Sequence, residues 1–182
     1  SLKRLTGNNK MQVEPLFKNS ISLYAAHLPL DAAPKIGHNA CLARMLGLRK
    51  CGTFAEYSGK DIGVCGAAPS GATAAKFASI LDRELSAKCV VFGGSGKTVR
   101  NVGVISGGSG SHGIVEALEK NLDCLVTGEV CHESFHLIRE TGITVVSGGH
   151  YCTEKPGIIS VMDILRRKFR LECEFIDLPT GM

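Results

Sequence analysis

Short apolar runs alternate along this chain with stretches whose apolar residues recur at helical spacing. DIGVCG (61–66), CVVFG (89–93), VRNVGVISG (99–107), DCLVTG (123–128) and ITVVSG (143–148) have the length and composition of strands. ISLYAAHLPL (21–30) reads as a buried strand running into a loop at Pro29, and LECEFIDLP (171–179) as a last strand. Between them, HNACLARMLGL (38–48), SGATAAKFASILDRELS (70–86), GSHGIVEALEKN (110–121), HESFHLIRET (132–141) and IISVMDILRRKF (158–169) read as helices. Ser70 is a candidate N-cap, and Gly47 a candidate C-cap. Strands that are apolar along their whole length belong in a sheet covered on both faces, so the expected class is α/β with a mostly parallel or mixed sheet.

In such sheets ligands bind beyond the carboxyl ends of strands. Thr127-Gly128-Glu129, Gly148-Gly149-His150, Ser106-Gly107-Gly108 and the pair His27 and Asp31 all fall at such ends. No internal repeat or long linker interrupts the chain; the turn residues YSGKD (57–61) mark the one place for a domain break. An apolar fraction of 44% in 182 residues suffices for a buried core, and a net charge of +4 is too weak to argue for nucleic acid. No apolar run is long enough to span a bilayer. The 8 cysteines form no C-x-x-C and sit mostly in apolar runs. With no secretory signal, reduced thiols in a cytoplasmic protein are expected. The chain begins at Ser1 rather than at a methionine, as expected of a fragment or a processed product.

Four motifs carry possible chemistry. His132-Glu133-Ser134-Phe135-His136 spells H-E-x-x-H, which on a helix puts two imidazoles on one face for zinc, but the third ligand of such a site is not evident. GGSGKT (93–98) resembles the end of a phosphate-binding loop. Its required first glycine is Val91, and a strand pattern follows where a helix is needed, so a plain connection is the better reading. RRKFR (166–170) fits a solvated helix C-terminus better than an RNA-binding patch. GGHYCTEKPG (148–157) is the most informative: His150 and Glu154 follow a buried strand, and Asp31 stands at another strand end. Imidazole nitrogen and bridging carboxylates suit divalent cations. Each also has an ordinary reading: Asp31 as a cap, His150 as a satisfied polar group, Glu154 as a first-turn acid favoured by the helix dipole.

AAHLPLDAAPKIGHNACLARMLGL and LVTGEVCHESFHLIRETGITVVSGGHYCTEKPGI, with the tail FIDLP, together resemble one family over nearly the whole chain from about Ser20. It comprises the dinuclear-metal hexameric proteins called GTP cyclohydrolase I type 2 homologues, kin of the yeast Ngg-one-interacting factor three. The resemblance implies two similar three-layer α/β units with the metal site in the cleft between them. Residues 1–58 would be the remainder of the N-terminal unit and 59–182 the C-terminal one. It implies two divalent cations per chain (iron, zinc, manganese, cobalt or nickel), with Asp31 on one, His150 on the other and Glu154 bridging both. An adjacent histidine pair that the family uses upstream has no match here. The family's helix after T-G-E carries a histidine matching His136 and none matching His132, so H-E-x-x-H is read as accidental. Tyr151 and Cys152 stand where relatives often have His and Ala.

The resemblance further implies a homo-oligomeric ring of six. Two functions compete. One is a metal-dependent hydrolase acting on a small molecule or nucleotide, with Glu129 or His27 moving a proton. The other is a non-catalytic metal carrier, or an adaptor that binds a transcription partner. Nothing in the sequence specifies a purine pocket.

Overall fold

The computed structural model describes residues 4–181. Its elements are, in order, α1 (Gly7–Lys18), α2 (Leu28–Asp31), α3 (His38–Met45), β1 (Arg49–Tyr57), β2 (Lys60–Ala67), α4 (Ala74–Leu85), β3 (Val90–Phe92), β4 (Asn101–Gly108), α5 (Gly110–Glu119), β5 (Cys124–Glu129), α6 (Ser134–Thr141), β6 (Thr144–Ser147), α7 (His150–Thr153) and α8 (Lys155–Phe169). The six strands form one mixed sheet in the order β1-β2-β4-β5-β6-β3. Its centre, β4-β5-β6, is parallel, each strand joined to the next by a helix, and the outer pairs are antiparallel.

Alternation along the strands divides the core in two. Val102, Val104, Val126 and Val146 pack with Leu42, Leu46, Phe77, Leu81 and Leu85 from α3 and α4. Ile105, Leu125 and Val145 point the other way, onto Ile114, Ala117 and Ile138 from α5 and α6. The expected α/β class and sheet covered on both faces are therefore what the chain adopts. Residues 49–57, which the sequence reading placed before the break at YSGKD, hydrogen-bond with residues 60–67 in this same sheet.

Three local expectations change. Residues 21–26 are exposed coil rather than a buried strand; only Leu28–Asp31 behind them is ordered into a helical turn. Residues 171–179 make no strand among the described residues. The N-cap of α4 is Thr73, whose hydroxyl accepts the Lys76 backbone N–H, because the helix starts later than Ser70. Conversely, β1 was not anticipated. It is mostly exposed, its register slips between Arg49 and Gly52, and Ala55 has φ +62°, so Phe54 and Ala55 are buried side by side and no alternation shows.

The thiols are all free, as expected. Burial pushes Cys89 and Cys124 up to about 12, with Asp82 adding to the effect at Cys89 and Asp123 at Cys124. No helix among the described residues is long and apolar enough to cross a membrane.

Candidate metal centre

Two single-turn helices present the candidate site. α2 follows His27, with Pro29 near its start, where the missing N–H costs nothing. Its one turn brings His27 Nε2 to within 4.0 Å of Asp31 Oδ2. α7 starts just after Gly149 at φ +83° and repeats the arrangement: His150 Nε2 is 3.3 Å from Glu154 Oε1. Both pairs are histidine and carboxylate four residues apart, a spacing that places them on one helix face. That shared H-x-x-x-D/E pattern is a second sequence signal, beside its closeness to Asp31, that joins His27 to the site.

The two turns meet. His27 Nε2 lies 3.9 Å from Glu154 Oε1 as well as 4.0 Å from Asp31. Asp31, His150 and Glu154, assigned from distant segments, thus line one cavity of about 390 Å³ together with His27, Asn39, Ser106 and His112. The volume suits a small organic ligand.

Polar groups beneath the cavity fix these positions. Asp31 is buried, and its Oδ1 accepts the Ser106 hydroxyl at 3.0 Å. Asn39, fully buried, accepts the Ser106 N–H at 2.6 Å and donates to Ile62 O at 2.7 Å, tying α3 to β4 and β2. Thr153 accepts the Gly107 N–H at 3.0 Å and locks α7 to the end of β4. His38, which sequence reasoning passed over, accepts the Gly157 N–H through Nδ1 at 3.2 Å and so joins α3 to α8. Its burial lowers its pKa below 6.5, outweighing the attraction of Asp31 and Glu154, so it is a neutral structural imidazole.

Gly107 has φ +65°, and a β-carbon there would stand 2.4 Å from Glu154 Oε1 and 3.0 Å from His150 Nε2. The space a side chain would fill is taken by the two candidate ligands. Two donors each about 2.1 Å from one ion, at angles near 90–110°, stand about 3.0–3.4 Å apart. The His150–Glu154 pair, at 3.3 Å, falls in that range; His27, at 3.9 and 4.0 Å, lies outside it. Among the described residues no three His, Cys, Asp or Glu side chains are gathered closely enough to hold an ion as they stand. The donor types, two carboxylates and an imidazole, nonetheless match the preferences of divalent cations.

The H-E-x-x-H letters do not make a site. His132 lies in a turn before α6, His136 is within the helix, and both are exposed. His136 instead packs edge-on against Phe135, with ring centroids 5.5 Å apart. GGSGKT forms the turn between β3 and β4, with no helix following.

Residues 1–181 match the family described as Duf34/NIF3 (NGG1p interacting factor 3). The chain belongs to this family. Its NIF3 relatives include a GTP cyclohydrolase 1 type 2 homolog of Deinococcus radiodurans, 37% identical over 98% of this chain and 67% of its own length. Another, from Archaeoglobus fulgidus, is 36% identical over 98% of this chain and 70% of its own length. Among solved structures, protein ybgI, of unknown function, superposes with a TM-score of 0.84 at 30% identity, covering 99% of this chain and 71% of that one. TTHA1606 from Thermus thermophilus gives 0.82 at 34% identity, covering 98% and 70%. The six-stranded mixed sheet with its two helical layers is thus the NIF3 fold.

Proposed function

We propose that this NIF3-family chain holds a pair of divalent cations in the cavity between α2 and α7 and hydrolyses a small molecule or nucleotide there. The observation that carries this is the meeting of the two helical turns: the Asp31 and Glu154 carboxylates both lie within 4.0 Å of the His27 imidazole, with His150 3.3 Å from Glu154. Two carboxylates and two imidazoles from distant segments face one cavity, with a glycine keeping the space open, and they are donor types that divalent cations prefer. Asp31 would hold one cation, His150 the other, and Glu154 would bridge.

Divalent cations at such a site supply a lowered water pKa and offset the charge that develops on a phosphoryl or tetrahedral centre. The chain's own residues do the rest. Ser106 and Asn39 orient Asp31 and the end of β4. His27, too far for ligation but 73% exposed to the cavity and solvent, moves a proton between water and substrate. The apolar wall of Leu28, Ala55, Ile62 and Ile105 receives the non-reacting part of the substrate.

In this reading six copies assemble into a ring. α1 buries none of its residues, and Met11, Phe17, Leu23 and Tyr24 stay exposed, which supports assembly over that surface.

Elemental analysis after dialysis against each candidate metal tests the binding. About two cations per chain are expected, and less than half of that in Glu154→Ala. Turnover of nucleotides and phosphodiesters, abolished in Asp31→Ala, would establish hydrolysis. Bound metal with no turnover in any assay would favour a carrier instead. Metal content unchanged in Asp31→Ala and Glu154→Ala would refute the site.

A further inference from the structure

Glu129 sits at the end of β5, beside the cavity but not in it. Its carboxylate Oε1 is 2.8 Å from His150 Nδ1. The other ring nitrogen of His150, Nε2, faces Glu154. His150 and Glu154 line the cavity with Asp31, whereas Glu129 opens on an adjoining, more open depression with Gly128, Cys131, Ser147 and Gly149. The imidazole therefore stands between the two carboxylates, Nδ1 toward Glu129 and Nε2 toward Glu154. Glu129 lies outside the lining of the cavity, and its nearest partner for a proton is His150.

We propose that Glu129 is a positioning residue: it holds the proton on His150 Nδ1 and thereby presents Nε2 to the cavity as the cation-binding nitrogen. This deepens the function proposed above and rests on it for the identity of what Nε2 binds. An ionised carboxylate can only accept, so the 2.8 Å contact calls for an N–H at Nδ1 in preference to the longer, 3.3 Å approach of Nε2 to Glu154. An imidazole held in this way gains basicity at its far nitrogen and loses the freedom to flip.

The local backbone is built to allow the contact. A β-carbon at Gly108 would reach only ordinary contact, 3.4 Å from Glu129 Oε2 and 3.8 Å from His150 Nδ1, so this position does not itself require glycine. One at Gly128, the residue before Glu129, would stand 2.9 Å from His150 Cα and 2.7 Å from Thr153 Oγ1. Gly107 and Gly128 thus leave the room in which Glu129, His150 and Glu154 line up end to end. The T-G-E letters thus carry two requirements, a bare backbone at Gly128 and an acceptor at Glu129.

Nitrogen-15 spectra of histidine-labelled protein test this, recorded at about pH 8.5, two units above the ordinary imidazole value. The His150 signals are assigned by their loss in His150→Gln. In metal-free wild type the proton is expected on Nδ1. In Glu129→Ala that preference should vanish, and the affinity for Zn²⁺ should fall about 10-fold or more, the usual effect of removing an orienting partner. Glu129→Gln keeps an acceptor oxygen and should retain the Nδ1 proton and recover part of the affinity. A residue that merely supported the fold would shift the melting temperature without moving the ring proton. A proton on Nε2 in wild type, or the same proton position and Zn²⁺ affinity in Glu129→Ala, would overturn the assignment. Because the proton position is read without metal, a wild type that has the Nδ1 proton yet binds no Zn²⁺ would sink the cation site while supporting the orienting role of Glu129.

Discussion

Replacing Gly107 by alanine separates backbone strain from damage to the site. Gly107 has φ +65°, where an L side chain costs roughly 1–2 kcal/mol. For a chain of this size that corresponds to a fall in melting temperature of about 2–8 °C. The added β-carbon would also stand 2.4 Å from Glu154 Oε1, about 1 Å inside the 3.4 Å at which ordinary contact begins. The carboxylate must rotate away, and an interaction with a charged group of this kind is worth about 1.5–3 kcal/mol, or a 10- to 150-fold loss of cation affinity. Gly142→Ala provides the control. Gly142 has φ +71° at the end of α6, and a β-carbon there meets nothing within 4 Å. It should lose a similar few degrees of stability and keep its metal. Calorimetric melting and titration with Mn²⁺ or Zn²⁺ on both variants give the answer. Equal cation affinity in Gly107→Ala and wild type would refute the claim that Glu154 occupies the space kept open by Gly107 in order to bind.

Other expectations follow from the packing. Phe54→Ala should cost about 3–5 kcal/mol in chemical denaturation, because its buried ring, with Ile105 and Leu122 beside it, fills the space over Gly63 and Gly103. His38 has its pKa lowered by burial, so the unfolded chain takes up its proton first as pH falls. Stability from neutral His38 is complete above the ordinary value of 6.5 and is lost as pH drops through and below it. Wild type should therefore lose more stability than His38→Gln between about pH 7.5 and about pH 5.5 in matched urea titrations. The double variant His132→Ala, His136→Ala should retain wild-type metal content, since both side chains are exposed on or beside α6, outside the cavity.

The sequence disclosed most where burial is complete. β4, β5 and β6 are enclosed between two helical layers, so Val102, Val104, Leu125, Val126, Val145 and Val146 leave an unbroken apolar signal. The amphipathic α4, α5 and α8 are equally plain. Legibility failed at the margins of the sheet. β1 has a slipped register and a left-handed residue at Ala55, both invisible in a residue pattern. Residues 21–26 and 171–179 carry strand-like apolar residues without a ladder partner among the described residues, and composition cannot report a missing neighbour. Asp31, His150 and Glu154 stood out in the sequence because each lies in a segment that resembles the family, although Asp31 follows coil rather than the expected strand. The roles of Asn39, Ser106 and Thr153 were not legible, because they lie in hydrogen bonds to groups far away in sequence.

The two most suppressed thiols offer a built-in gauge of how the molecule breathes. With burial holding Cys89 and Cys124 up to about 12, the thiolate is strongly suppressed at both positions at pH 7. An alkylating reagent will therefore mark Cys51, exposed on β1, long before it reaches them. Cys124 lies fully enclosed in the middle of the sheet, while Cys89 sits half-covered just before the edge strand β3. The delay at Cys89 will time the peeling of that edge, and the longer delay at Cys124 the parting of the whole sheet.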